Sequence, residues 1–273
     1  MPRETIVVKI GGSTLGNHDS TLEDLAELQK QGKSLVVVHG GAKVASDWLS
    51  RLGTSTGFIN GLRVTDTESL KVVTAVLGGL VNKELVVAIQ ALGGKAVGLS
   101  GCDGNLLWAS MKNPELGYVG EIVTVAPALL KLLLKEGYMP VVAPVSFGSV
   151  EGRTMLLNVN GDAAAGEIAA ALIAEKLIFL TDVDGVRDVS GRVISRLNIT
   201  EAKALLKSEV ATGGMVPKIE ASIKALAAVS TVHIIDGRMP HALLSVIASS
   251  EIPRLSSEQA SQSQLGGTSI VPG

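Results

Sequence analysis

Cysteine is nearly absent from these 273 residues. Cys102 stands alone, which excludes an internal disulfide framework and fits a reducing compartment. Aromatic residues are scarce, with three Phe, two Trp and two Tyr, so the core must be aliphatic, as suits a parallel sheet covered by helices. Neither sign of charge is in excess: 24 basic against 26 acidic residues give a net charge of −2. Without a basic tail or stripe, a nucleic-acid partner is not expected. No uninterrupted apolar run reaches the roughly 18 residues of a membrane span, so no membrane partner is expected either. An apolar strand pattern begins within six residues, so no signal peptide is expected. The four histidines (His18, His39, His233 and His241) fall in elements that do not converge, and with one cysteine this argues against a zinc site. Hydrophobic residues make up 46% and the mean hydropathy is +0.38, enough for a sizeable core. The expectation is a cytoplasmic enzyme built as one large α/β domain or as two lobes sharing a sheet.

Several familiar site motifs are missing too. Gly32-Lys33-Ser34 resembles the end of a Walker A loop, but Glu27 occupies the first-glycine position and the triplet precedes a strand instead of opening a helix. No G-x-G-x-x-G follows a strand pattern, which argues against a dinucleotide site. No G-x-S-x-G elbow supports a serine hydrolase.

What is present begins with Ile6-Val7-Val8-Lys9-Ile10-Gly11-Gly12, a buried-strand pattern that contains one lysine and ends in two glycines. A lysine in so apolar a run is costly to bury unless an anion meets it. The glycines leave backbone N–H groups open to close approach. The pattern returns in Leu35-Val36-Val37-Val38-His39-Gly40-Gly41, so two strand ends could build one phosphate site.

Between and after these strands the periodicity switches to that of helices. Leu22, Leu25 and Leu28 share one face of a helix over 21–31, and Val44, Trp48 and Leu52 share one over 42–52. Asn60-Gly61 between apolar flanks predicts a hairpin. Thr65 with Glu68 reads as a capping box opening a long apolar helix over 67–92, whose spare surface is a candidate dimer contact. Strands are expected over 95–99, 139–145, 177–180 and 232–235, with a small antiparallel ribbon from 106–109 and 118–125. Helices are expected over 127–136, 163–174, 199–208 (capped by Asn198 with Glu201), around Lys218, and over 241–249. The segment 256–264, rich in Ser and Gln, reads as an exposed excursion before an edge strand at 265–270. A break in organisation is expected near 148–152.

The chemistry-bearing positions form an anion-handling set at strand ends and helix starts: Lys9, His39-Gly40-Gly41, Arg63, Asn158, Asp162 and Lys218. Each has a plainer reading alone. Gly40-Gly41 can be a simple turn, Arg63 a solvated hairpin charge, Asp162 an N-cap and Lys218 an exposed helix lysine. Lys9 has the weakest plain reading, because its strand is apolar on both sides.

Together these stretches resemble the amino acid kinase family over nearly the whole chain. The resemblance rests on Lys9-Ile10-Gly11-Gly12, Asn60-Gly61-Leu62-Arg63-Val64-Thr65-Asp66, Val81-Asn82-Lys83-Glu84-Leu85, the stretch Val97 to Gly104, Asn158-Val159-Asn160-Gly161-Asp162, Thr181-Asp182-Val183-Asp184-Gly185-Val186 and Gly214-Met215-Val216-Pro217-Lys218. It implies a three-layer αβα sandwich around an open, mostly parallel sheet of about eight strands. It implies a single domain over 1–273, with an acyl-amino-acid lobe over about 1–150 and an ATP lobe over about 151–273. The implied activity is ATP-dependent phosphorylation of the side-chain carboxylate of N-acetyl-L-glutamate, a step of arginine biosynthesis, in a homodimer, with Mg²⁺ arriving on ATP.

The resemblance also implies roles. Lys9 and Lys218 would stabilise the transferring phosphoryl group and Asp162 would hold both lysines. Arg63 would fork onto the substrate's α-carboxylate, with Asn158 bonding the same molecule. Gly11 and Gly12, together with Gly40 and Gly41, would line the phosphates. Asp182, Val183, Asp184, Gly185, Val186, Arg187, Val210, Ala211 and Thr212 would line the nucleotide. The family loop His-Gly-Gly-Gly reads His39-Gly40-Gly41-Ala42 here, which could alter substrate fit. The absence of an N-terminal helix pattern and of an acidic C-terminal segment leads us to expect insensitivity to arginine. The rival readings are a carrier-linked aminoadipate or glutamate kinase of lysine biosynthesis and a non-catalytic nucleotide or amino-acid sensor of the same fold.

Overall fold

The computed structural model describes residues 4–11, 20–54, 57–59, 61–251 and 266–273. Its strands are β1 (Thr5–Ile10), β2 (Ser34–His39), β3 (Phe58–Ile59), β4 (Leu62–Arg63), β5 (Ala96–Ser100), β6 (Leu107–Met111), β7 (Val119–Val125), β8 (Met139–Ala143), β9 (Val145–Val150), β10 (Arg153–Val159), β11 (Lys176–Thr181), β12 (Arg196–Asn198), β13 (Thr231–Asp236) and β14 (Thr268–Val271). The helices are α1 (Ser20–Lys30), α2 (Ala42–Arg51), α3 (Thr67–Ala91), α4 (Ala128–Lys135), α5 (Gly161–Leu172), α6 (Ile199–Lys207), α7 (Met215–Ala225) and α8 (Ala242–Glu251).

Eight strands form one sheet in the order β12-β14-β13-β11-β1-β2-β8-β5. The run from β13 to β5 is parallel, and β14 joins β13 antiparallel. Each central strand is buried on both faces, so its residues alternate between two cores. Ile6, Val8 and Ile10 of β1 join the core under α1, α2, α3 and α8, whereas Val7 joins the core under α4, α5, α6 and α7. Lys9 therefore points to the α5 face, and His39, in register with Ile10, shares the α3 face. This is the mostly parallel αβα sandwich expected.

The details depart from expectation in informative ways. The ribbon of β6 and β7 is half of a closed four-stranded barrel completed by β9 and β10. The break expected near 148–152 is the tip of the β9–β10 hairpin, where Arg153 pairs with Val150. β14 is an inner strand and the outermost one is β12, three residues long. Trp48 and Leu52 are 40% and 62% exposed, because α2 buries Ala45 and Leu49 instead. Asp66, not Thr65, caps α3, accepting from the Ser69 N–H. Thr65 is buried, donating to the Arg63 carbonyl and accepting from Asn158.

By length and composition α3 is apolar enough to cross a membrane. Its Leu70, Val73, Leu77, Val81, Leu85 and Ile89 are core residues of this fold. Between Ala75 and Val81 it is π-helical, a local widening often found beside functional sites. The segment 256–264, with Gly12 and Asn60, lies outside the described residues.

Candidate active site

The sheet turns in opposite directions on either side of β1 and β11: β2 follows β1 to one side and β13 follows β11 to the other. Ligands of open α/β sheets bind at this switch point, outside the carboxyl ends of the strands. Lys9 is the penultimate residue of β1 and stands on its α5 face. α5 starts with Gly161, where an added Cβ would lie 3.6 Å from Lys9 Cε, so the helix start lies directly over the lysine.

The N-cap of α5 is Asn160, whose Oδ1 accepts from the Asp162 and Ala163 N–H groups. Asp162 is thus not the cap, and its carboxylate is left for other work. Lys9 Nζ lies 2.7 Å from its Oδ1, and Lys218 Nζ donates to its Oδ2 at 3.1 Å. Each carboxylate oxygen thus faces one lysine. The three side chains are only 8% (Lys9), 6% (Asp162) and 12% (Lys218) exposed. Burial pushes the Asp162 carboxyl up, but Lys9 and Lys218 outweigh it and hold the group below the usual carboxylate range. Burial lowers the Lys218 ammonium, opposed by Asp162.

Close helix packing sets this meeting. A Cβ at Gly166 would lie 2.9 Å from the Ala221 carbonyl, so α5 and α7 touch backbone to backbone there. Asp162 is one turn before Gly166 and Lys218 nearly one turn before Ala221, which aligns the two on the same end of the helix pair.

A cavity of about 320 Å³ opens beside the lysines and is lined by Lys9, Gly40, Gly41, Arg63, Asn158 and Asp162 among others. Six residues singled out from the sequence therefore meet in one place. Arg63 is 7% exposed, not a solvated hairpin charge. Its Nη2 donates to the Ala42 carbonyl and Ser46 Oγ, and its guanidinium lies 4.7 Å from the centre of the Phe58 ring. The hairpin β3–β4 reaches across the cavity, where a Cβ at Gly61 would lie 3.9 Å from the Gly213 carbonyl before α7.

The glycines behave unequally. The N–H of Gly11 donates to the Leu180 carbonyl and that of Gly40 to the Ile10 carbonyl, so sheet extension uses both. Gly40 thus has no amide to offer a phosphate. Gly41, at φ +145°, has an N–H without a partner among the described residues. An added Cβ there would press to 2.5 Å from Leu77 of α3, so the position demands glycine on two counts.

The residues expected at the nucleotide follow β11 at the same edge of the sheet. Asp182 is exposed and close enough to Lys218 to favour its charged form. Val183 is exposed, and Arg187 pairs with Asp184. Gly185 and Val186 are buried against β14, with the Val186 N–H donated to Thr268, so these two support the loop and do not face outward. Val210 and Thr212 border the Gly213 turn, and Ala211 is buried. Sequence reasoning missed Asn160 and Ser46. The adjacency of Asn160 to the helix start was the available signal for the first, and Ser46 at helical spacing from Ala42 gave none. Among the described residues no cluster of three or more His, Cys, Asp or Glu side chains could hold a metal ion.

One carboxylate needs a single cation for neutrality. The second buried ammonium leaves a surplus positive charge, which suits an incoming anion at the place where open α/β sheets take phosphate ligands. Fold and site together define an α/β protein with a buried, positively charged anion site at the switch point of its sheet.

Comparison with known proteins narrows the class. The amino acid kinase family pattern matches residues 4–236, and this chain belongs to that family. It is 46% identical over 242 residues to the acetylglutamate kinase of Dehalococcoides mccartyi, covering 88% of this chain and 89% of the relative. It is also 46% identical over 257 residues to that of Caldanaerobacter subterraneus, covering 91% and 85%. Among solved structures it resembles the N-acetylglutamate synthase of Neisseria gonorrhoeae in complex with coenzyme A and N-acetyl-glutamate. The TM-score is 0.79 and the identity 26%, over 98% of this chain and 59% of that one.

Proposed function

We propose that this enzyme transfers the γ-phosphoryl group of ATP to the side-chain carboxylate of N-acetyl-L-glutamate, giving N-acetyl-L-glutamyl 5-phosphate and ADP in arginine biosynthesis. The observation that carries the reading is the Lys9–Asp162–Lys218 cluster beside a cavity that also contains Arg63. The names of relatives near 46% identity support the choice of substrate.

The acceptor carboxylate, with a reference pKa of about 4.3, is already ionised at neutral pH and needs no general base. One carboxylate oxygen attacks the γ-phosphorus while the bond to the bridging oxygen of ADP breaks. The obstacles are repulsion between anions and charge on the equatorial oxygens. Lys9 and Lys218 meet both, and Asp162 keeps the two in place and favours the charged form of Lys218. The Gly41 N–H adds a neutral donor, and Arg63 supplies a planar fork for the α-carboxylate, with Asn158 beside it.

ATP would lie along residues 182–187 and 210–212. Mg²⁺ would enter as part of the nucleotide substrate, because Asp162, the cavity's buried carboxylate, is engaged by two lysines. In this reading residues 1–150 chiefly hold the acyl amino acid and residues 151–273 the nucleotide. The enzyme works as a cytoplasmic homodimer whose contact includes the outer face of α3, where Leu80 and Val87 are 37% and 63% exposed.

The test is to supply MgATP with N-acetyl-L-glutamate, free glutamate or free aspartate and trap the acyl phosphate with hydroxylamine. Hydroxamate should form with N-acetyl-L-glutamate far above the other two. Its absence with that acceptor would overturn the assignment.

A further inference from the structure

Asn82 and Lys83, in the long helix that covers one sheet face, have no part in the chemistry above. Asn82 is fully buried at the C-terminal end of the π-helical turn of α3. One side of its amide faces the Val141 carbonyl at 2.9 Å and the Leu99 carbonyl at 3.2 Å. Carbonyls only accept, so the NH₂ group must be on that side. Lys83 Nζ, which only donates, lies 3.0 Å from Oδ1 on the other side, fixing the amide from both directions. The same NH₂ group lies 3.2 Å from His39 Nε2. An amide NH₂ cannot accept from Nε2, so the imidazole proton sits on Nδ1, and Nε2 shares the two amide protons with the two carbonyls. Nδ1 in turn lies 2.7 Å from the Gly40 carbonyl oxygen, which it can bond only as a donor.

Gly40 C=O and Gly41 N–H belong to one peptide unit, and in a trans peptide they point in opposite directions. Pulling the carbonyl toward His39 on the α3 face turns the Gly41 N–H the other way, and both glycines line the cavity that holds Lys9 and Asp162. That N–H has no partner among the described residues. The π-helical turn closes the arrangement, because Leu77 and Val81 pack against Gly41. Burial lowers His39 to about 4, so the ring stays neutral at physiological pH and the donor pattern is kept.

We propose that Asn82 and His39 are positioning residues: Asn82 sets the tautomer of His39, and His39 holds the Gly40–Gly41 peptide with its N–H aimed at the transferring phosphoryl group. The activity arm of this inference rests on the phosphoryl transfer proposed above, whereas the tautomer does not.

The first measurement is ¹⁵N NMR of histidine-labelled wild-type enzyme. His39 should show a protonated Nδ1 and a bare Nε2, unchanged between pH 5.5 and 8. A protonated Nε2 overturns the relay whatever the enzyme's activity. The second compares His39→Leu, which removes the donor, with His39→Asn, whose amide N–H can reach the Gly40 carbonyl from the Nδ1 position. Losing an oxyanion-type donor outright costs about a hundredfold to a thousandfold, and misaiming one costs part of that. His39→Leu should therefore lose at least about tenfold in kcat with both KM values within about threefold, and His39→Asn should regain most of that loss. If both variants lose stability alike and His39→Asn regains no kcat, His39 is only a core residue and the proposal fails. If His39→Leu keeps wild-type kcat, it fails equally. A wild type without kinase activity but with the Nδ1 tautomer would refute the assigned reaction and leave the relay standing.

Discussion

Replacing Asp162 by Asn keeps the side chain's shape and removes one charge. The wild-type carboxylate serves two ammonium groups, and all three side chains are at most 12% exposed. Breaking a buried ion pair by removing one partner costs about 3–5 kcal/mol, because the other charge is left uncompensated. The variant should therefore lose about 4 kcal/mol of unfolding free energy at pH 7, near 10 °C in Tm for a chain of this size. The N-cap of α5 is Asn160, so lost capping contributes nothing to this figure. Asn160→Ala, which removes the cap alone, should cost only about 1 kcal/mol.

The sign of the pH dependence separates charge from packing. Burial already lowers Lys218, and Asp162 is the chief group opposing it. Without that carboxylate the depression deepens. The unfolded chain then binds the proton more readily than the folded one at neutral pH, and the penalty shrinks as both states lose it above about pH 10. Urea unfolding of Asp162→Asn from pH 7 to pH 10 should show the deficit closing. A deficit under 1 kcal/mol at pH 7, or one that stays constant with pH, would refute the account. With hydroxylamine trapping, kcat should fall by more than about a hundredfold, since both lysines lose the carboxylate between them.

Lys218→Ala should lower kcat by about a thousandfold while calorimetry finds ATP affinity within about threefold, because the ammonium acts on the transferring group. Arg63→Lys should raise KM for the acyl amino acid by about tenfold or more and leave KM for ATP within twofold, since an ammonium cannot fork onto a carboxylate. An unchanged KM would remove Arg63 from the substrate site. Burial lowers both His39 and His233 from 6.5 to about 4. The unfolded chain takes up protons first, so stability is fully present above pH 7 and lost as pH falls toward 4, by about 4 kcal/mol for the two between pH 7 and 5. Urea midpoints that do not change over that range would show that the rings are not buried neutral.

Much of this architecture can be read in the sequence because it depends on local rules. Apolar runs ending at Gly11 and Gly40 mark the central strands, and a lysine within the first run could not be a solvated charge. Asn198 with Glu201 forms the capping box its spacing foretold. Where two rules compete within a few residues, the reading goes astray. Asp162 and Asn160 both suit an N-cap, and only the three-dimensional demand of two lysines decides between them. The stripe of Val44, Trp48 and Leu52 outweighs Ala45 and Leu49 in hydrophobicity, yet close packing selects the smaller residue. β12 is three residues long, carries no periodicity of its own and depends on pairing with β14, about 70 residues further on. That Gly40 gives its N–H to Ile10 whereas the Gly41 N–H finds no partner among the described residues is a matter of sheet register, which no motif encodes.

The seam between β1 and β11 has a consequence for how the enzyme comes into being. Ile6 pairs with Lys176, so the two strands beneath the lysine cluster are about 170 residues apart in the chain. β1, β2, β8 and β5 can assemble from the first half during synthesis, but closing so long a loop is slow and comes late. Until β11 docks, Lys9 is a lysine at the border of an incomplete sheet, with neither Asp162 nor Lys218 in place. Far-UV ellipticity should therefore return before activity on refolding, making catalysis a reporter of the last long-range step.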